Sequence, residues 1–263
     1  MEYRVNVNGI DIVAAYSEEN IRDIFEPLLR HLEQLHKRKG ARLLVMVAAP
    51  PGAGKTTFVS FLEELSKIML KEMTLQAIGM DGFHRRQEYL LSHTATVDGN
   101  EIPMVEIKGA PVTFDLELFK TYIEKLSTDK TVGWPVYDRT LHNPVEDAVW
   151  VNSDIVLLEG NYLLLDQEGW KDLSQSADYT ISIKAEEGML RERLIGRKEA
   201  LGHSRIQAEK FVDFSDMRNV KLCLERSKKA DLELAITEAG EYAVISGENG
   251  SVCVRLTKEG ADC

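Results

Sequence analysis

The chain opens on alternation. Residues 3–17, YRVNVNGIDIVAAYS, carry two runs of alternating apolar and polar positions on either side of Asn8-Gly9, a dipeptide favoured where both central turn residues need positive φ. They predict a β-hairpin. The period then changes. Ser17 can cap a helix in which Ile21, Ile24, Phe25, Leu28, Leu29, Leu32 and Leu35 recur at helical spacing, and Gly40 stops it. Pro27 falls inside that run and predicts a kink or a split. From residue 43 short apolar runs alternate with amphipathic ones. LLVMVA (43–48), TLQAIGM (74–80), DIVLLEG (154–160) and DYTISIKA (178–185) predict strands. Residues 55–71, 115–127, 186–200 and 204–229 predict helices, the first with Phe58, Phe61, Leu62, Leu65, Ile68 and Met69 on one face. Continuously apolar strands separated by helices indicate an α/β fold, a doubly wound parallel sheet covered on both faces. After residue 231, DLELAIT is placed to complete the parallel sheet, and EYAVIS and SVCVRL read as a hairpin about GENG. The stretch 92–112 has little periodicity, which in an α/β protein suggests a functional loop. The expected organisation is a hairpin and helix over 1–40 packed on a core over 41–240, then a C-terminal hairpin and tail over 241–263.

Composition narrows the classes without choosing among enzymes. The 263 residues are 44% hydrophobic and 29% charged, which excludes wholesale disorder and a coiled-coil rod. The net charge of −11 makes the chain a poor general binder of nucleic acid or anionic membrane, so any polyanion must meet a small local site. No apolar run approaches the ~18 residues of a membrane span. The start, MEYRVNVNG, alternates where a secretory signal would be basic and then hydrophobic. Three cysteines without close spacing, Cys223, Cys253 and Cys263, argue against a disulfide framework or a zinc site and fit a reducing cytoplasm.

The chemistry concentrates where the strands end. APPGAGKTT (49–57) lies between an apolar strand and an amphipathic helix and ends in Gly-Lys-Thr, the context a phosphate-binding loop demands. Backbone N–H groups of such a loop and the helix N-terminus make an anion-binding concavity. Pro50 and Pro51 have no N–H, so the donors run from Gly52 through Ala53, Gly54, Lys55, Thr56 and Thr57. Lys55 can reach the β- and γ-phosphates and Thr56 can ligate Mg²⁺. Ala49 stands where the usual pattern has its first glycine, which costs little at negative φ. Glu159 ends an apolar strand at the sheet edge where ligands bind; it can hold Mg²⁺, or it is a capping or surface glutamate. Asp81 ends another strand in GMDGFHRR; it can accept a hydroxyl proton, or it is a turn-forming Asp-Gly. His84, Arg85 and Arg86 either hold an anionic substrate or form a solvated charge run. WPVYDRTLHNP (134–144) gathers Tyr137, Asp138, Arg139 and His142 on what reads as an irregular loop, either a recognition surface or a packed loop with an aromatic anchor. Arg193 and Arg197 share one helix face at i, i+4 and suit the mobile cations of phosphoryl transfer; the other basic residues of 190–205 read as a salt-bridged face.

Taken together, APPGAGKTT, MDGFH, KGAPVTFD (108–115), PVYDRTLHNPVEDA, LLEGNYLLLD and RERLIGRKEALG resemble the uridine kinase, pantothenate kinase and phosphoribulokinase branch of the P-loop kinases. Within it the chain is most similar to bacterial nucleoside-kinase-like proteins, some of them labelled sugar kinases, over roughly residues 1–245. The resemblance implies a P-loop kinase core with a lid near 191–205. It implies Asp81 as catalytic base, Glu159 as the magnesium-linked carboxylate and Arg193 and Arg197 as lid arginines. Tyr137 and His142 match the Tyr and His of the uridine kinase pattern P-x-Y-D-F-x-x-H, in which Arg139 replaces the phenylalanine. An arginine there suggests a more polar or anionic acceptor than uridine. With Lys55 beside Asp81 and the lid arginines in catalysis, and His84, Tyr137, Arg139 and His142 on the acceptor, the expected activity is ATP- and Mg²⁺-dependent transfer of a phosphoryl group. The acceptor is a hydroxyl of a sugar, nucleoside or related metabolite. A small-molecule acceptor, no nucleic acid, no membrane and a possible homo-oligomer complete the expectation. The alternative is a regulatory P-loop NTPase or nucleotide switch, whose guanine-specifying N-K-x-D segment is missing from the sequence. A non-catalytic scaffold would have no use for the intact Gly-Lys-Thr and Glu159.

Overall fold

The computed structural model describes residues 2–7 and 10–247. Its centre is a six-stranded sheet of order β12-β11-β10-β3-β9-β4, made from β3 (Leu43–Ala48), β4 (Leu75–Gly79), β9 (Ile155–Gly160), β10 (Tyr179–Lys184), β11 (Leu232–Ile236) and β12 (Tyr242–Gly247). The first five of these run parallel and β12 closes one edge antiparallel. All six residues of β3 and of β9 are buried, as expected of strands covered on both faces. One apolar layer joins the helix Lys55–Met69 to the N-terminal elements through Phe25, Leu29, Phe58 and Leu62. The other joins the helix Leu116–Thr128 to Trp134, Tyr162 and Leu164.

The N-terminal run Ile21 to Leu35 is helical, and the expected break is there. A turn Glu18–Asn20 passes into a π-helical turn Ile21–Phe25, then into the helix Glu26–Lys39, which has Pro27 in its first turn and Gly40 as a left-handed cap at φ 68. Phe25 and Glu26 are themselves helical and Glu26 N donates to the Ile21 carbonyl, so the helix passes through the proline by way of the wide turn before it. Ahead of it, β1 (Glu2–Val7) and β2 (Ile10–Ala15) pair antiparallel, while the turn at Asn8-Gly9 lies outside the described residues. Tyr3 meets Phe61 edge-on at 5.4 Å, which fastens the hairpin to the helix Lys55–Met69. The residues 204–229 form one helical stretch, Arg205–Phe211 and Met217–Arg226 joined by a second π-turn, Val212–Asp216.

Three segments differ from the sequence reading. Residues 134–144, expected as an irregular loop, belong to an antiparallel hairpin of β7 (Val132–Asp138) and β8 (Asn143–Val151). Pro135 hid it: proline gives no N–H to a ladder, and the register shifts between Trp134 and Val136. Within 92–112 a small hairpin, β5 (Thr94–Val97) and β6 (Asn100–Pro103), turns at Asp98-Gly99, with both residues at positive φ. EYAVIS does not await SVCVRL; as β12 it pairs with β11 across a turn at Gly240, and SVCVRL and its GENG turn lie outside the described residues.

Candidate active site

Pairing register decides what stands at the carboxyl edge of the sheet. Glu159 is level with Val47 on one side and Gly79 on the other, so it lies between the loop that leaves β3 and the turn that leaves β4. The β3 loop curls through Gly52 and Gly54, both at φ 84, into the helix that starts at Lys55. Ala49 is not among the positive-φ residues, so the alanine there carries no backbone strain. A Cβ on Gly52 would come within 3.2 Å of Leu194 and 3.3 Å of the Leu190 carbonyl; the helix Glu187–Ala200 therefore lies directly on the loop.

Thr56 Oγ1 donates to Glu159 Oε1 at 2.7 Å, and Lys55 Nζ stands 3.9 Å from Glu159 Oε2. The Glu159 carboxyl is almost fully buried. Burial pushes it above the usual carboxylate range; Lys55 opposes this, the charge of Asp81 adds to it and the Thr56 hydroxyl opposes it. A hydroxyl and one carboxylate beside an anion-binding loop are the hard oxygen donors Mg²⁺ takes when substrate phosphates and water complete its shell. The donor set fits that ion. No cluster of three or more His, Cys, Asp or Glu able to hold a metal alone occurs among the described residues.

After β4 the chain makes a tight 3-10 turn, Met80–Phe83, that carries Asp81. Glycine is required there: a Cβ on Gly82 would fall 2.0 Å from the Pro135 carbonyl oxygen of β7. Trp134 Nε1 donates to the Gly79 carbonyl at 2.8 Å and fixes the same junction. Asp81 acts electrostatically on Glu159, His84, Tyr137, Tyr162 and Arg197, so these side chains converge on it. His84 stacks on Phe114 at 3.9 Å and meets Tyr137 edge-on at 5.3 Å. Burial depresses its pKa to about 4 despite the opposing charge of Asp81, with Lys108 and Arg139 depressing it further, and its Nδ1 is buried without a hydrogen-bond partner.

The hairpin tip divides the remaining expectations. Tyr137 is half-buried and its hydroxyl accepts from Lys108, whose ammonium also lies 4.5 Å from the ring centroid. Arg139 is exposed at the tip, and its charge reaches His84, Lys108, Tyr137, Arg197 and Lys198. His142 adopts φ 52 and turns its side chain to the surface; what it gives the site is its carbonyl, 3.4 Å from Lys108 Nζ. Arg85 and Arg86 are engaged elsewhere, with Asp115 at 3.4 Å and Glu146 at 2.9 Å.

On the helix over the loop, Arg191 pairs with Asp213; Arg205, which opens the next helix, pairs with Glu192, Glu199 and Glu209. Neither Arg193 nor Arg197 has a carboxylate within salt-bridge distance among the described residues. Arg197 is half-buried; burial and Arg139 lower its pKa while Asp216 and Asp81 raise it. Arg193 lies on the other flank, where its charge acts on Tyr242. The structure thus joins Arg197 to the Asp81 cluster and sets Arg193 apart from it.

Two residues escaped sequence reasoning. Lys108 opens KGAPVTFD, a segment noted for resemblance, but nothing local shows that its ammonium meets a tyrosine 29 positions on. Asp216 is delivered by the π-turn Val212–Asp216; its Oδ2 is buried without a partner, and burial raises its pKa against Arg197, Lys198 and Arg139. Wide helical turns recur at functional sites but have no simple sequence mark.

Comparison with known proteins gives the chain its relatives. The sequence model of the "Phosphoribulokinase / Uridine kinase family" matches residues 44–235. Protein YggC of Escherichia coli, itself uncharacterized, is 39% identical over 244 residues, covering 92% of this chain and 98% of its own. A candidate uridine kinase of Schizosaccharomyces pombe is 28% identical over 228 residues, 84% of this chain and 91% of its own. Among solved structures, a candidate fructose transport system kinase from Silicibacter superposes with a TM-score of 0.71 and 29% identity, covering 80% of this chain and 98% of its own.

Proposed function

This chain belongs to the phosphoribulokinase / uridine kinase family, and from that membership we propose that it uses ATP to phosphorylate a hydroxyl of a small molecule, a sugar, nucleoside or related metabolite. The observation that carries the reading is the meeting of a phosphate loop, Glu159 and Asp81 at one sheet edge, in the register Val47, Glu159, Gly79. A nucleotide switch has no need of a carboxylate ringed by His84, Tyr137 and Arg139.

In this reading the backbone from Gly52 to Thr57 cradles the ATP phosphates, and Lys55 offsets charge on the γ-phosphoryl group. Thr56 and Glu159 would hold Mg²⁺, which supplies charge neutralisation across the phosphates when bound. Asp81 orients the acceptor hydroxyl and takes its proton as the new O–P bond forms and the bond to the β-phosphate oxygen breaks. Arg197 covers the transferred group from the helix above, while Arg193, apart from the Asp81 cluster, has the lesser part. His84, Tyr137, Arg139 and His142 frame the acceptor, Tyr137 and His142 by placing Lys108.

The test is acceptor-dependent ADP release across a panel of sugars, nucleosides and vitamins. The reading expects slow hydrolysis alone, turnover raised at least tenfold by some members of the panel, and loss of roughly 10³-fold in Lys55→Ala. Hydrolysis that no acceptor changes contradicts it.

A further inference from the structure

Positive charge around Asp81 is not balanced. Several neighbouring basic residues are paired with carboxylates: Arg85 with Asp115, Arg86 with Glu146, Arg191 with Asp213, Arg205 with Glu192. Lys108, Arg139, Arg197 and Lys198 have none within salt-bridge distance among the described residues, in a chain whose net charge is −11. Arg139 depresses the pKa of Lys108, Arg197 and Lys198, so the four cations crowd one region. Asp216 and Asp81 act on Arg197 and Asp216 on Lys198, and in the kinase reading Asp81 is reserved for the proton.

Lys108 is the most telling of the four. The glycine that follows it is held from both sides: Tyr162 Oη donates to the Gly109 carbonyl at 2.5 Å, and Gly109 N donates to Thr113 Oγ1 at 3.1 Å. The half-buried Lys108 ammonium makes only neutral contacts, to Gln87 Oε1 at 3.0 Å, to the Tyr137 hydroxyl and to the His142 carbonyl at 3.4 Å. Neutral acceptors solvate a cation but leave its charge uncancelled, and burying it in that condition costs energy that an arriving anion recovers. Lys108 and Arg139 come from the segment before KGAPVTFD's turn and from the hairpin tip, elements separate from the phosphate loop and its helix.

His84 adds the second half of the recognition. Burial keeps the His84 ring neutral near pH 7. Its Nδ1 is buried without a partner, and a ligand hydroxyl, which both donates and accepts, satisfies it in either tautomer.

We propose that the acceptor is an anionic polyol: a phosphate or carboxylate group held by Lys108 and Arg139, with a hydroxyl on His84 Nδ1 and the reacting hydroxyl at Asp81. The word acceptor rests on the kinase reading above; the oxyanion subsite does not.

The experiment is calorimetric binding of matched pairs to the protein carrying a non-hydrolysable ATP analogue and Mg²⁺, with turnover measured beside it on ATP. The pairs are a ketohexose against its monophosphate, a hexose against the corresponding uronic acid, and uridine against uridine monophosphate, so that phosphate and carboxylate are read in separate arms. The expected result is at least tenfold tighter binding of an anionic member over its neutral partner. Lys108→Gln and, separately, the exposed Arg139→Gln should each weaken that member roughly 10- to 100-fold, the loss of one charge-assisted hydrogen bond, with the ATP analogue held as before. Because Arg139 is exposed, its variant keeps the test valid if Lys108→Gln folds poorly. Neutral members binding as well as anionic ones, no binding by any anionic member, or equal losses for both classes in Arg139→Gln overturn the subsite. Turnover separates the two claims: anionic preference without transfer removes the kinase and leaves the subsite, while transfer to a neutral acceptor without preference does the reverse.

Discussion

Asp81 and His84 lie three positions apart and differ in how far the sequence discloses them. A carboxylate at the tip of an apolar strand is readable as a site residue, as are Lys55, Thr56 and Glu159, because strand, loop and helix around them are local patterns. The histidine beside two arginines is not separable from them in sequence; only the pairings of Arg85 with Asp115 and Arg86 with Glu146 leave His84 as the one that turns inward. Its burial has a measurable consequence. With a folded pKa of about 4 against an ordinary 6.5, the unfolded chain binds more protons than the folded one between those values. Stability from this group is therefore full above pH 6.5 and is lost as pH falls toward 4, by at most about 3 kcal/mol. Asp81 opposes the shift while Lys108 and Arg139 favour it, so the net slope reports the whole cluster. Urea unfolding at pH 7, 6, 5 and 4 should show wild type losing more stability than His84→Gln across that window. Parallel pH profiles contradict the buried neutral ring.

At the scale of elements, helices and buried strands were legible because their periods are strong, and the hairpin that frames the site was not. Pro135 and the register shift beside it erase the alternation of β7, and the π-turn that delivers Asp216 leaves the period of a helix nearly intact. The hairpin is nonetheless what positions the turn that carries Asp81. Pro135 backbone passes so close to Gly82 that even one methyl group has no room, and backbone on both sides cannot yield as a side chain would. Gly82→Ala should cost about 1–3 kcal/mol in stability, the usual range for overpacking. Since the same turn carries Asp81, kcat should fall by on the order of 10²-fold, the cost of a displacement near 1 Å at reacting groups. Thermal melting with steady-state kinetics checks both, and an alanine variant with wild-type kcat shows that the turn is not held by this contact.

For the molecule as a whole, the fold class was written in the order of strands and helices, whereas the closure of the chain on itself was not. Asn20 Nδ2 donates to the Tyr242 carbonyl at 2.9 Å and Tyr242 N donates to Asn20 Oδ1 at 2.7 Å, a buried pair across 222 positions. Tyr16, Phe25, Phe58, Phe61 and Tyr242 pack their rings together around it. Contacts of such separation have no local trace, so the sequence offers the C-terminal strands as a candidate partner of the N-terminal hairpin without showing which residues join them. The hairpin and β12 buttress the phosphate-loop helix from behind, while the front edge of the sheet brings Lys55, Glu159 and Asp81 together. That convergence is the central claim, and Asp81→Asn tests it most directly because it preserves size and hydrogen bonding while removing the base. Single-turnover transfer to an acceptor, with ATP affinity measured by calorimetry on the same samples, should show ATP held as tightly as in wild type. Transfer should be slowed roughly 10²- to 10⁴-fold, the usual contribution of a positioned acid–base group. Transfer at the wild-type rate in the asparagine variant contradicts the account.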